Sequence, residues 1–475
     1  MAARTVPHLV HPAPRPRYTP LSMTIPSWFD PRMLIGPPFR LCPKCGQKEL
    51  GTASISHRSF SRKCRACGHL EQHPLPPIKK KLVYLDQMVS SGMAKTLDPV
   101  WAATTGPQDE RWGRLFDALE RAFKLQLIVC PQSAIHEKEG ALASHPDMLK
   151  ALYEHLGNGV EFVNPVIVHQ LQLGAAFRAV LKGQAPTYAV SRSHILHGDP
   201  DEWIERLRIS VNLNIPGPDL ATRREVRERR YAAMTQWFER WKVEANKTFK
   251  DWYEFERQGH AINYRDLFRE RLALLARVER GEVPLDMEDV WNPRLEAGVI
   301  PALMAIAEQA GNPPQDALRI VLDFLFSGAA YDAPANDISA LLMASLARKA
   351  RSGQKDPPSP GMFNDITAIA TYLPYCAAMY VDNECAGLLR DEPLRSKIQP
   401  FGTRIFSGKT TDEFFAYLAE LEREAGADHI QRVADIYGDD WTQPYRTVLV
   451  YERERAARRA KKADSNPRAT STDSG

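Results

Sequence analysis

The sequence predicts an α/β fold: a parallel-sheet domain split by a large helical insertion and preceded by a small zinc ribbon. Three observations predict it. Four cysteines near the N-terminus fall as C-x2-C-x18-C-x2-C. Short apolar runs alternate with amphipathic stretches over residues 79–145 and again over 359–450. Between them, residues 146–358 are charged, helix-periodic and without strand alternation.

The chain has 475 residues, 44% hydrophobic and 25% charged, enough for two or three domains. A net charge of +4 is small for this size, so only local clusters of Lys and Arg can argue for an anionic partner. No apolar run is long enough to span a bilayer, and the opening MAARTVPHLVHPAPRPRYTP lacks a secretory core. A cytoplasmic protein with no membrane partner is expected. Residues 1–37, rich in Pro and Arg, read as a flexible, disordered arm.

Residues 38–78 form the expected ribbon. Each C-x2-C pair can place two thiolates on one ion, so Cys42, Cys45, Cys64 and Cys67 complete a closed tetrahedral site for structural Zn2+. Gly46 and Gly68 follow the second cysteine of each pair, where a turn favours positive φ. The odd count of seven cysteines disfavours a disulfide framework, and Cys130, Cys376 and Cys385 lie in apolar surroundings. Arg58, Arg62, Lys63, Arg65, Lys79, Lys80 and Lys81, with Phe60 among them, suit phosphate contacts and one stacked base. Nucleic acid is the partner they suggest; a solvated charged rim is the plain alternative.

Leu82–Leu85 reads as a buried strand ending abruptly at Asp86. Residues 110–124 place Trp112, Leu115, Phe116, Leu119 and Phe123 at helical spacing, and Leu125–Cys130 is a second strand. Ser133 can cap a helix carrying Glu137 and Glu139. After the insertion, Asp365–Leu373 suits a helix and Ala378–Val381 a strand followed by Asp382. Ile405–Phe406 belongs to a further strand, TTDEFFAYLAELERE to an amphipathic helix, and residues 451–475 to a basic, disordered tail. Within the insertion, RREVRERRYAAM reads as a solvated helical face, with a binding groove that helps select substrate as the alternative, and Trp241, Trp252 and Tyr253 read as core.

Asp86, Glu139, Asp365 and Asp382 sit at strand ends or helix starts, on the edge a parallel sheet uses for chemistry. Gathered carboxylates repel one another, and the usual compensation is Mg2+ or Mn2+ with oxygen ligands. Such an ion suits phosphodiester hydrolysis. Any single one of these acids is better explained as a turn or cap residue; the ensemble carries the reading.

The segments KKLVYLDQMVSS, LIVCPQSAIHEKEGA and NDITAIATYLPYCAAMYVDNE resemble the PIN-like nuclease superfamily. The resemblance covers roughly residues 80–145 and 360–425. It implies a small α/β domain, a metal-binding acidic cluster and cleavage of RNA rather than DNA. Residue by residue it assigns Asp86, Glu139 (Glu137 as runner-up), Asp365 and Asp382 to the acidic site. This chain departs from that pattern in the long interval between Glu139 and Asp365. It also has Ala377 and Ala378 where some relatives carry a further acid, which favours one catalytic ion over two. Asp337 competes with Asp365 but lies too far upstream of the next strand.

His136 reads more readily as a packed histidine than as a ligand. H-E-x-x-H, G-x-S-x-G, Walker-A and G-x-G-x-x-G patterns are absent, which removes those classes. Arg404 and Lys409, after Asp382, are candidate phosphate contacts by position alone. The other class in contention is a non-catalytic nucleic-acid or protein-binding module on the same scaffold. A regulatory protein partner has no residue-level mark.

Overall fold

The computed structural model describes residues 30–464 except 57, 107–108, 206–219, 245 and 285–293. The expected arm up to residue 29 and the end of the tail from residue 465 lie outside them. In chain order, β1 (Gly36–Arg40), β2 (Leu50–Ile55), β3 (Ser59–Cys64) and β4 (Leu70–Pro74) form an antiparallel four-stranded meander. It begins two residues earlier than the sequence suggests, because Gly36 already pairs with Thr52.

The next unit opens with β5 (Lys81–Leu85), α1 (Gln87–Leu97), α2 (Pro99–Thr105), α3 (Glu110–Lys124), β6 (Ile128–Val129), α4 (Ala134–Gly140) and α5 (Pro146–Gly157). There follow β7 (Glu161–Phe162), α6 (Pro165–Leu181), β8 (Leu196–His197), α7 (Leu220–Val243), α8 (Phe249–Glu279), α9 (Val299–Gln309), α10 (Pro314–Leu325), α11 (Gly328–Tyr331) and α12 (Pro334–Arg351). The last part holds α13 (Met362–Tyr372), β9 (Ala378–Tyr380), α14 (Asn383–Arg390), α15 (Leu394–Ile398), β10 (Arg404–Phe406), α16 (Thr411–Tyr437) and α17 (Val448–Asp464).

The central sheet has the order β10-β9-β5-β6, and every pairing in it is parallel. Its side chains explain the layering. Leu82 and Tyr84 of β5 join one core with α12, α13 and α14, while Val83 and Leu85 join a second core with α1, α3, α5 and α16. Both faces are covered, which is why the strand reads as an unbroken apolar run rather than an alternation. The strand after β5 in the chain, β6, lies on one side of it, whereas β9 lies on the other. That reversal puts a crevice at the carboxyl ends of β5 and β9.

Three expected boundaries shift. The stretch from Pro146 is not all insertion: α5 places Met148, Leu149, Leu152 and Leu156 in the second core, and Trp203 joins them. The two-residue strands β7 and β8 pair antiparallel inside a region with no strand signal, and Gln132 bridges Glu161 beyond β6. The tail starts as ordered helix, since Val448 and Leu449 are buried and Arg453 ion-pairs with the fully buried Asp98.

The ribbon docks on α16 after its kink at Gly426 (φ 77°). The Thr52 hydroxyl donates to the Ile436 carbonyl at 3.0 Å, Arg62 donates to the Asp435 carbonyl at 2.7 Å, and Arg40 pairs with the Asp435 carboxylate at 2.8 Å. Among the described residues, no helix is long and apolar enough to cross a membrane.

Candidate metal centres and the basic cleft

The four ribbon cysteines come together. The Cys42 and Cys67 sulfurs are 3.6 Å apart, those of Cys45 and Cys64 3.7 Å, and all four lie within 4.8 Å of one another. With Zn–S bonds of about 2.3 Å, a regular tetrahedron has edges of about 3.8 Å, so this thiol set can bind a metal such as zinc. Gly46 and Gly68 adopt φ of 71° and 72° to turn the two knuckles. Desolvation works against ionising Cys42, yet the Cys45 and Lys44 amides bring its thiol down to about 6, toward the thiolate a metal requires.

Two of the expected acids are helix caps at adjacent strand ends. Asp86 accepts from the Met88 N–H at 2.9 Å and donates its own N–H to the Tyr380 carbonyl, continuing the β5–β9 ladder by one rung. Asp382 accepts from the Cys385 N–H at 2.6 Å at the start of α14. Each gains from the partial positive charge of a helix N-terminus. Asp365 sits in the first turn of α13, whose Ile366, Ile369 and Tyr372 anchor it in the core. Glu139 projects from α4, a helix fixed by a reciprocal Ser133–His136 capping box, and its Oε1 accepts from Asn364 Nδ2 at 2.7 Å.

The tightest set among the acids is Asp365, Asp382 and the Cys385 sulfur, with ligand atoms within 4.8 Å of one another. Asp86 and Glu139 flank it. The Asp365 Oδ2 and Glu139 Oε1 atoms both lie within 4 Å of the point where a Cβ on Gly361 would stand, which brings the two acids to one spot beside Gly361. Burial, with the Asp382 charge adding to it, lifts Asp86 to about 6. Burial and the Asp86 charge lift Glu139 to about 7, against the Asn364 hydrogen bond and Arg227. Asp365, buried and facing Asp86, Glu139 and Asp382, rises to about 9.

These directions set a stability–pH relation. A carboxyl raised by folding costs nothing below its unfolded value near 4, and its penalty grows as pH climbs toward its folded value. The metal-free chain is therefore expected to melt at falling temperature from about pH 5 to about pH 9. Asp365→Asn should flatten that slope and raise the melting temperature at about pH 8 by roughly 2–5 °C. Thermal melts at several pH values, with chelator present, check this; a slope equal to wild type contradicts it.

The other candidates are placed as follows. Glu137 is exposed, while Asp337, fully buried in α12, is taken up by the Tyr253 hydroxyl and the Lys397 ammonium. His136 is buried between Tyr84 and Tyr153, and desolvation pushes its pKa down to about 3, so it is a neutral core residue. Trp241 and Trp252 are fully buried.

The expected basic surface of the ribbon is largely spent on folding. Arg62 is buried on α16, Arg65 donates to the Ile35 carbonyl and covers the Phe39 ring, and Phe60 is buried against His73. Lys80 is buried too: its Nζ donates to the Glu202 carbonyl at 2.5 Å, and burial pushes its pKa down to about 8. Lys79 and Lys81 are exposed, as is Lys63. All three lysines from 79 to 81 stand at the amino end of β5, about 16 Å of strand away from Asp86. Arg404 pairs with Glu420 at 2.7 Å and lies over Tyr417, so α16 occupies it. Lys409 is exposed, and its N–H donates to Asn383, next to Asp382.

The cations facing the acids come instead from α7. Arg223, Arg227 and Arg230, with Lys138 of α4, line a cleft of about 490 Å3 that also contains Glu139 and Gly361. Arg230 donates to Asn364 Oδ1 at 3.2 Å, and Asn364 in turn holds Glu139. The sequence reading missed these residues and the thiol of Cys385. A faint signal existed for the thiol in the D-x-x-C spacing from Asp382. The arginines had none, because their sequence is equally good as a solvated helix.

Compared with known proteins, the chain matches no family model, no curated protein and no solved structure, so the reading of its function rests on its own residues.

Proposed function

We propose that the chain is a metal-dependent endonuclease, acting on RNA, in which Asp86, Glu139, Asp365 and Asp382 serve Mg2+ or Mn2+ on a PIN-like α/β domain. One observation carries this reading. The Asp365 carboxyl feels the charges of Asp86, Glu139 and Asp382 from three other segments at the carboxyl edge of a parallel sheet, and the cleft that contains Glu139 carries Arg223, Arg227, Arg230 and Lys138 among its lining. An acidic centre beside a cationic groove is the arrangement a phosphodiester needs: the basic side holds the flanking phosphates, and the acidic side serves the scissile one.

A divalent ion at the acids supplies charge neutralisation at the phosphate and activation of the attacking water. The chain's own groups do the rest. Asp365 and Asp382 would hold the ion, with the Asp86 carboxylate adding negative charge beside Asp382. Glu139 stands outside the tightest set and is the carboxylate placed to accept a proton from water. Arg223, Arg227 and Arg230 orient the strand. The Cys385 thiol beside the two carboxylates is pushed well up by burial and by the Asp382 charge, so it stays protonated and the ligands offered to either ion are carboxylate oxygens. The choice of RNA rests on the resemblance in the three segments around these acids. The ribbon thiols hold one structural Zn2+, a closed site with no position for substrate.

The test uses the whole chain with end-labelled single-stranded RNA, hairpin RNA and single-stranded DNA, in Mg2+ or Mn2+. Internal cleavage of RNA that stops on chelation is expected. No cleavage of either RNA with either ion would overturn the proposal.

A further inference from the structure

A second cavity, of about 380 Å3, adjoins the cleft and has no part in the chemistry described so far. Lys138, Arg230, Phe363 and Asn364 line both spaces, so the two adjoin under α7, between α4 and α13. The volume is that of a site for a small organic group. Its walls mix an aromatic face, Phe363, with hydrogen-bonding groups, Asn164, Asn263, Ser339 and His260, and one carboxylate, Glu296, whose charge acts on Lys138 and His260.

At its back stands His169. That side chain is buried, its Nδ1 is hydrogen-bonded to the Tyr264 hydroxyl at 2.7 Å, and its Nε2 has no protein partner. A buried ring nitrogen left unpaired is costly unless something else meets it. The pocket is therefore built for a flat group with polar edges, delivered from the side where Lys138 and Arg230 would hold a phosphate.

We infer that this cavity is a nucleobase subsite: it takes one unstacked base of a single-stranded RNA, next to the phosphate that lies at the acidic centre. The inference rests on the nuclease reading for the identity of the strand. A base enters a side pocket only when it is out of the helical stack, so the substrate class is single-stranded or looped RNA rather than a continuous duplex. Phe363 offers the stacking face, and the Asn, Ser and His groups meet the base edge. Arg230, through Asn364, links the base's position to Glu139.

The experiment reads binding without cleavage, so its outcome is independent of catalysis. Full-length chain carrying Asp86→Asn is titrated, in chelator, with single-stranded RNA hexamers that bear one abasic position, moved along the strand. One position is expected to weaken binding about tenfold or more, the scale of losing one stacked base. 2-Aminopurine at that position should change its fluorescence on binding. Phe363→Leu and Asn263→Ala, one conservative and one exposed, should each shrink the abasic penalty while leaving the melting temperature close to the parent's. Equal penalties at every position, or a penalty untouched by both variants, would overturn the subsite. If wild-type chain cleaves RNA and the penalties are still equal, the subsite alone fails. If it cleaves nothing yet one position stands out, the catalytic reading alone fails.

Discussion

Asp86→Asn and Asp382→Asn are each expected to slow RNA cleavage about a thousandfold or more while leaving the fold intact. The size follows from removing a negative charge that would help hold the divalent ion at the phosphate, since a single electrostatic contact in such a site is worth about a hundredfold to a thousandfold and a displaced ion costs more. The fold survives because the local role of both residues is to cap a helix. Asp86 accepts from Met88 N–H and Asp382 from Cys385 N–H, and an Asn side-chain oxygen does the same. Burial and the Asp382 charge hold Asp86 well above the usual carboxylate range, so its replacement also relieves repulsion. Single-turnover cleavage rates, measured beside melting curves, separate the two effects. Activity within about tenfold of wild type in both variants would remove these residues from the chemistry.

The second large effect concerns the ribbon. Removing its metal, or replacing Cys64 by Ser, is expected to unfold the knuckle end of the ribbon, residues 42–46 and 64–68 with the strand ends beside them, while the parallel sheet persists. The sulfur cluster shares its small core with one aliphatic side chain, Leu50. A core that small does not hold four strands, and a structural zinc contributes about 10–16 kcal/mol in isolated zinc-finger peptides. The far end is better anchored: Ile55 and Phe60 belong to the large core, and Thr52 and Arg62 hold Asp435 and Ile436. Hydrogen exchange should therefore rise most at the two knuckles and fall off toward Ile55, with β5 and β9 still protected. Protection of Cys42–Gly46 and Cys64–Gly68 unchanged by chelation would refute a metal-dependent ribbon. One zinc per chain is the expected stoichiometry.

Much of the framework was legible because burial and chemistry coincide at single residues. Leu82–Leu85 is apolar on both faces and stops at an acid, which marks a central strand and its carboxyl end at once. Ser133 marked the start of α4 and so located Glu139. What the sequence hid was orientation. Arg62 and Lys80 look like any surface cations, and only docking on α16 and contact with Glu202 bury them. Arg223, Arg227 and Arg230 look like a solvated stripe, and only the passage of α7 across α4 and α13 sets them beside Glu139. Strands of two residues, β7 and β8, are too short for any periodicity to show. The contact that anchors the start of the tail was hidden for a similar reason: Arg453 belongs to a basic run, and its partner Asp98 lies far away in sequence and deep in the fold.

At the root of the proposed function is a divalent ion held by Asp365 and Asp382, beside Asp86. Anomalous scattering from crystals of the full chain soaked in Mn2+ tests it most directly. The account predicts a peak at the manganese edge between Asp365 and Asp382, within reach of Asp86 and distant from the ribbon cysteines. A map with no manganese peak at these carboxylates would contradict it.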